Sequence, residues 1–432
     1  MPLAQDLDLA DLPIEGAEFA VDPMPFLAAA RRRHPWLAKC SVGFFVTEYQ
    51  AIKDIYYQDD KLRFPGDQIV ELMGAQNTGW GRFTEEMMLS RSGPDHDRLR
   101  GSVAEAFTPR AVNRLRGQMR AVVSDLLDEW APKGGFDFTE FAANFPIRVM
   151  FGLIGGDPAA LSQIQWALEV QGSSFGLDPT RMATIESAYQ VLWDFVDGLI
   201  TERGPEGGHD DLLDDLIAAN TSGKLSDVEL RQMLIFLFGA GYDTSKNLLG
   251  LIMQDMLRDL PLWERCAEDR LFCDKVVEEG LRRTSPSNPY RLVVEDFEYR
   301  GVRFPQGSFL VFPLSVAGRD EAAFPDPMAF TPDRSHANRH VAFGRGMHLC
   351  LGQYLARAQL EEGLHLMAQR LTNPRLAGEV VWRPFPGVWG LKTLPIAFDP
   401  APLRAGGGPA TVSAGSAASG CPMAAGAASE RL

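Results

Sequence analysis

A mainly α-helical domain with a minor β part is the fold class that this 432-residue sequence predicts: one large helical domain with small β-sheets over residues 1–400, then a tail over 401–432. Three observations carry it. Through much of residues 85–285 the apolar residues recur three and four apart, the spacing of a helix face. Alternation of β-branched and aromatic residues with charged ones is confined to two late patches, 290–314 and 380–398. From residue 401 the chain is built of Ala, Gly, Ser and Pro, with almost nothing to bury. A hydrophobic fraction of 45% beside 23% charged residues suits a globular protein with a large core.

In chain order, the N-terminal "MPLAQDLDLADLPIEGAEF" is acidic and has neither the basic nor the apolar segment of a signal peptide. The stretch 108–130 places Pro109 where helices begin, with apolar residues following at helical spacing, and 211–220 repeats the pattern. In 225–260, Ser226 and Glu229 make a capping-box pair, and some thirty residues follow without a proline. A helix that long and that apolar has to cross the interior of a large domain. Its most apolar part, 233–242, is about half of what a membrane span needs, so no membrane partner is expected. Gly301 and Gly307 mark turns in the first β patch, and the tail is expected to be disordered. No internal repeat and no linker-like break interrupts the body.

The net charge of −15 argues against nucleic acid and against anionic lipid as partners. Five cysteines (Cys40, Cys266, Cys273, Cys350, Cys421) are scattered, without a CxxC, which suits a reducing cytoplasm.

One of them stands in "AFGRGMHLCLGQYLAR", residues 342–357. A lone cysteine is most often a small buried hydrophobe, but this spacing is unusual. Gly344 and Gly346 permit backbone conformations closed to other residues and let a flat ligand approach the main chain. Cys350 falls just before a helix, where unpaired N–H groups favour a thiolate, and Gly352 lets that first turn pack against something wide. Zinc is a poor alternative, because no second ligand pair lies at the needed spacing. A thiolate offered to a large planar group suggests haem. The loop resembles the haem-binding loop of the cytochrome P450 monooxygenases, and the resemblance extends over roughly residues 20–400. It implies Cys350 as the axial iron ligand, with Phe343, Gly344, Gly346 and Gly352 around haem b (iron protoporphyrin IX). It also implies haem lying between the long central helix and the helix after the cysteine.

Further motifs follow in the family's order. "AGYDTS" (240–245) lies mid-helix; alone it reads as a tolerated kink, since glycine there costs about 1 kcal/mol. The resemblance makes Ala240 and Gly241 room for dioxygen, and Asp243 and Thr244 an acid–alcohol proton relay. Glu279 and Arg282, three apart, alone read as a surface ion pair. The resemblance buries them with Arg334 as a structural triad behind the cysteine loop. His96 and Arg100, four apart, match the family's contacts to the haem propionates, as do Arg291 and His348; His340 is a weaker candidate. Two departures stand out: Gly318, where relatives often carry asparagine, and Lys246, close behind the relay. The pair Cys421-Pro422 in the tail resembles short haem-regulatory motifs, a reading set aside in so disordered a context.

The implied activity is a cytoplasmic, monomeric monooxygenase that uses O2 as co-substrate and hydroxylates or epoxidises a small hydrophobic molecule. The chain has no phosphate-cradling GxGxxG and too few clustered cysteines for an iron–sulfur centre, so electrons come from a separate ferredoxin and its NAD(P)H-dependent reductase. Arg98, Arg100, Arg110, Arg114, Arg116 and Arg120, with Arg345, are the expected docking face. Two rivals remain: a peroxide-driven hydroxylase or haem-thiolate isomerase, and a non-enzymatic haem-binding sensor. Motif order places pocket walls at 67–90, 171–178, 234–244, 286–292 and 386–390, with Ile69, Leu72, Met73, Trp80, Phe83, Met87, Phe175, Phe238, Tyr242, Tyr290 and Trp389 as lining. So apolar a lining predicts a neutral or weakly polar substrate, such as a terpenoid, steroid or aromatic compound.

Overall fold

Ser226 starts the longest helix, Asp227–Met256. Its hydroxyl accepts from Glu229 N at 3.2 Å, and the Glu229 carboxylate accepts from Ser226 N at 2.8 Å. The computed structural model describes residues 1–156, 160–204, 208–209 and 211–400. Leu234, Ile235, Phe238, Leu248, Leu249, Leu251 and Ile252 are all buried, so this helix runs through the interior, and it is open around Ala240. It stops short of residue 260, because Asp259 and Pro261 open a separate helix, Leu260–Glu268.

Helix Phe138–Ile154 packs along the central helix, and Leu161–Ser174 and Met182–Arg203 cross it on one side. Helix Gln353–Arg370, which follows the cysteine loop, packs against Pro109–Trp130, Leu260–Glu268 and Arg270–Arg283. Thr108 caps Pro109–Trp130 by accepting from Ala111 N at 3.3 Å. One large core surrounds the central helix.

A second, smaller core lies against a five-stranded sheet and includes Trp36, Ile55, Phe304 and Phe312. That sheet runs in the order Leu37–Cys40, Gly43–Val46, Phe309–Val311, Tyr290–Val293 and Leu62–Arg63. The expected patch 290–314 supplies two of its strands and a separate hairpin, Phe297–Tyr299 with Val302–Phe304. Its first two strands were not foreseen; they form a tight hairpin that joins Phe309–Val311 in parallel. The 380–398 patch breaks into short strands in three small sheets.

Glu279 and Arg282 are fully buried and paired at 2.7 Å. Arg282 also donates to the carbonyls of Gly318, Pro327 and Ala329 at 2.6, 2.8 and 2.9 Å. Arg334 reaches Glu279 at 3.3 Å, and Thr331 N donates to the same oxygen at 2.8 Å. A buried pair this well satisfied fixes the segment 318–334 against helix Arg270–Arg283. Among the described residues no helix is long and apolar enough to cross a membrane. Residues 401–432, with Cys421, lie outside the described part.

Candidate active site

The cysteine loop is held from both sides. Cys350 N donates to Phe343 O at 2.9 Å, closing the loop on itself. Asp59 Oδ2 accepts from Met347 N at 2.7 Å. Gly346, at φ +70°, lies so close that a Cβ would sit 2.4 Å from that carboxylate. Gly344, also at φ +70°, faces the Tyr56 ring, whose nearest atom is 3.2 Å from where its Cβ would be. Asp59 and Tyr56 escaped sequence reading because they lie almost 290 residues upstream in a stretch that resembles a plain turn. Gly352 caps helix Gln353–Arg370, and its N–H points at the Cys350 sulfur. Burial pushes the Cys350 thiol up, while that amide, Arg100 and Arg357 pull it down. A Cβ at Gly352 would meet no described atom within 4 Å, so the protein's own packing does not demand this glycine.

Beside the loop the structure brings together His96, Arg100, Arg291 and His348. The two imidazoles lie 4.9 Å apart, edge to face. Arg100 donates to Leu349 O at 2.7 Å, and Arg291 donates to the Tyr56 hydroxyl and lies over its ring at 4.4 Å. Neither guanidinium has a carboxylate partner among the described residues. His96 Nδ1 is 3.2 Å from Asp97, but its Nε2 is buried with no described partner. Burial first, then Arg291, His96 and Arg100, push His348 down to about 3. A buried ring nitrogen without a described partner, beside two guanidiniums that no described carboxylate neutralises, fits a group that brings two carboxylates, as haem does. His340 does not join them: its Nε2 lies 3.4 Å from Glu278, which also holds Arg357 at 2.5 Å.

Across the molecule, an apolar cavity of about 110 Å³ lies against the central helix. Ala240, Asp243 and Thr244 line it; Gly241 does not. The missing side chain of Gly241 makes way for Met150, whose sulfur would be 2.7 Å from a Cβ, and Gly239 faces the cavity in its place. Thr244 Oγ1 donates to Ala240 O at 2.8 Å. Asp243 is buried and ion-paired with Arg383 at 2.6 Å, and accepts from Asn247 Nδ2 at 2.9 Å. Lys246, the unexplained neighbour in the sequence, is buried too; it lies 3.9 Å from Asp243 and bonds Glu169. Gly172 packs on the same carboxylate, where a Cβ would fall 2.3 Å from Oδ2.

Of the expected lining, Ile69, Trp80, Phe83, Met87 and Phe175 face the cavity. Six others lie elsewhere. Leu72 is exposed, and Met73 is in the core beneath its helix. Phe238 points to the opposite side of the central helix, against Phe151 and Phe195. The Tyr242 hydroxyl donates to Glu169 at 2.6 Å, and that of Tyr290 to Phe175 O at 2.9 Å. Trp389 donates to Ala20 O and stacks on Trp382. Motif order located four of the five wall segments, but not the face of each that looks inward; 286–292 supplies no lining residue, and Phe64 and Leu192 line the cavity from outside the expected segments. Gln171 and Val388, which do face the cavity, lie within those segments.

A large helical domain that offers one loop thiol beside a cradle for two carboxylates has the form of a haem-thiolate oxidoreductase. The family profile described as Cytochrome P450 matches residues 42–387. The chain is 33% identical to luteothin monooxygenase of Streptomyces thioluteus, over 91% of this chain and 97% of that one. It is 30% identical to 6-deoxyerythronolide B hydroxylase of Saccharopolyspora erythraea, over 89% and 98%. The crystal structure of CalO2 superposes with a TM-score of 0.82 at 26% identity, over 91% and 100%. The chain belongs to the cytochrome P450 family, whose members use haem, and it is a monooxygenase of that family.

Proposed function

We propose that the chain is a haem b monooxygenase that places one oxygen atom of O2 into a small, largely apolar molecule and reduces the other to water, with Cys350 as the residue that would hold the haem iron. The observation that carries this is the half-buried Cys350, whose sulfur is bonded by Gly352 N–H and flanked by Arg100 and Arg357. Haem bound there supplies dioxygen activation, which thiolate donation favours. His96, Arg100, Arg291 and His348 are the residues that hold its propionates, with Phe343, Gly344 and Gly346 shaping the loop. Ala240 keeps the cavity floor low. Thr244 and Asp243 hand on protons in a site whose apolar walls exclude bulk water. Glu169, with its side chain 37% exposed, links solvent through Lys246 to Asp243 and is the entry point of that relay. The pair Asp243–Thr244 on the cavity wall favours O2 over added peroxide as the oxidant.

The relatives named for luteothin and 6-deoxyerythronolide B act on natural products, and a natural product of low polarity suits this cavity. Electrons arrive from a ferredoxin and its reductase, to a monomer in the cytoplasm. The docking face is narrower than the sequence suggested. Arg98 is taken up by Glu229, Arg100 by Leu349, and Arg116 and Arg120 by Glu361 and Glu362. Exposed Arg110 and Arg114 remain, with Arg345 beside Tyr57 and the exposed Leu349 and Tyr354 near the cysteine.

The test is spectroscopic. The reduced carbon monoxide complex should show the red-shifted Soret band of a trans thiolate, and Cys350→His should abolish it. A substituted protein that keeps the band would show that the ligand is another residue. NADH consumption with redox partners should depend on an added organic substrate; a sensor would show no such dependence.

A further inference from the structure

The cavity wall is apolar except at a few residues, and one of these carries an amide donor with no partner among the described residues. Gln171, 8% exposed, stands near the end of helix Leu161–Ser174 and lines the cavity. Its Oε1 accepts from the Trp80 indole N–H at 3.0 Å. An indole nitrogen only donates, so this bond settles which way the amide faces: the oxygen is committed to Trp80 and the NH2 is turned away from it. Nε2 is buried and has no partner among the described residues. Leaving a buried amide donor unpaired is unfavourable, and native proteins seldom do so without a reason.

Three of the other polar groups on this wall are engaged, while the Thr84 hydroxyl makes no hydrogen bond among the described residues. Ser174 Oγ donates to Gln171 O at 2.7 Å, Thr244 Oγ1 to Ala240 O, and Asp243 is held by Arg383. Trp80 also fixes the Gln171 side chain, and its own backbone N–H donates to Glu186 at 2.9 Å, so the donor is preorganised.

The geometry points to Gln171 as the polar anchor of the substrate site: its Nε2–H donates to an acceptor oxygen (a carbonyl, ester or ether) on an otherwise apolar substrate. The anchor rests on the reading of this cavity as the substrate site, and it sharpens that reading from "apolar molecule" to "apolar molecule with one acceptor oxygen". Gln171 acts by orienting the substrate rather than by chemistry, because it sits on a different element from the relay residues.

The ferric holoenzyme is titrated with matched pairs, cycloalkanones and the parent cycloalkanes over several ring sizes, following the Soret shift. The proteins are wild type, Gln171→Leu and Gln171→Glu. Glutamate keeps an acceptor for Trp80, so it separates loss of the donor from an unpaired indole. Wild type should bind the ketone more tightly than the alkane, and both variants should reduce that preference about five- to tenfold, the effect of one hydrogen bond. Alkane affinity of Gln171→Leu should hold or rise. An unchanged ketone-to-alkane ratio in both variants means that water alone satisfies the amide, and it overturns the anchor; so does a wild type that binds no ketone. The carbon monoxide band of each protein is recorded alongside. If wild type lacks the thiolate band, the haem-thiolate reading itself fails; if the band is present and the ratio unmoved, only the anchor does.

Discussion

Gly318 has no room for a side chain. A Cβ there would lie 1.8 Å from Arg282 O, and the Gly318 carbonyl accepts from the same arginine. The departure at 318 therefore has a local cause in how closely this backbone approaches helix Arg270–Arg283. Gly318→Ala should destabilise the protein by at least about 2 kcal/mol, the usual scale of overpacking, read as a lower thermal midpoint. The relay pair should separate in a different way. Thr244→Ala loses a hydroxyl bonded only within its own helix, so it should lower product per NADH and raise released peroxide while leaving stability near wild type. Asp243→Asn should lower both coupling and stability, because Arg383 is left as a part-buried cation without its partner; breaking a buried pair costs about 3 kcal/mol, an upper figure here. Equal coupling to wild type in both variants would remove them from proton delivery. Arg383 was invisible in the sequence, 140 residues from its partner, in a patch read only for strand pattern. Lys246 was visible as odd and became intelligible only once Glu169 was beside it.

Three helices meet around a tight set of charges at the scale of elements. Arg116 of Pro109–Trp130 binds Glu361 and Glu362 of Gln353–Arg370 at 2.6 and 2.9 Å, and Arg270 and Asp274 belong to the third helix. Asp274 Oδ1 is buried with no hydrogen bond among the described residues, its ion pair with Arg270 being 3.6 Å long, and burial with Glu361 nearby pushes its carboxyl up to about 6. Between pH 4 and that value the folded chain keeps a proton that the unfolded chain has lost, so this group's contribution falls as pH rises through about 6. Asp274→Asn should therefore raise the melting midpoint at pH 7 and leave it unchanged below pH 4. A gain of the same size at both pH values would place the cause outside this titration. The helices themselves were legible, because apolar spacing, Thr108, Ser226 and Asp211 mark where they begin. The hairpin Leu37–Cys40 with Gly43–Val46 was not, since strands of four residues carry too few alternations to stand out and are stabilised by a partner strand over 260 residues away.

For the molecule as a whole, the charge is strongly negative, yet Arg110 and Arg114 are exposed at the head of Pro109–Trp130, with no ion pair among the described residues. Arg110→Glu and Arg114→Glu should slow reduction by a ferredoxin and flatten its dependence on salt, which screens such fields over about 10 Å at 0.1 M. Acidic residues are tolerated in a first helical turn, so the fold should survive the Arg110 change. Substrate affinity should barely move. Reduction rates that ignore both reversals would place the donor on another face.

Gly172 makes substrate choice and oxidant handling inseparable in any attempt to evolve this enzyme. The residue beside it reaches into the cavity, while its own missing side chain makes way for the Asp243 carboxylate. A library that diversifies this helix end to admit bulkier compounds will, at position 172, displace the Asp243 carboxylate, the proposed proton donor. Variants recovered for new substrates should then consume reductant wastefully, and repairing them will call for second changes on the central helix. Positions 69, 83 and 388, which line the same cavity from other elements, are the mutational routes along which scope can widen without that penalty.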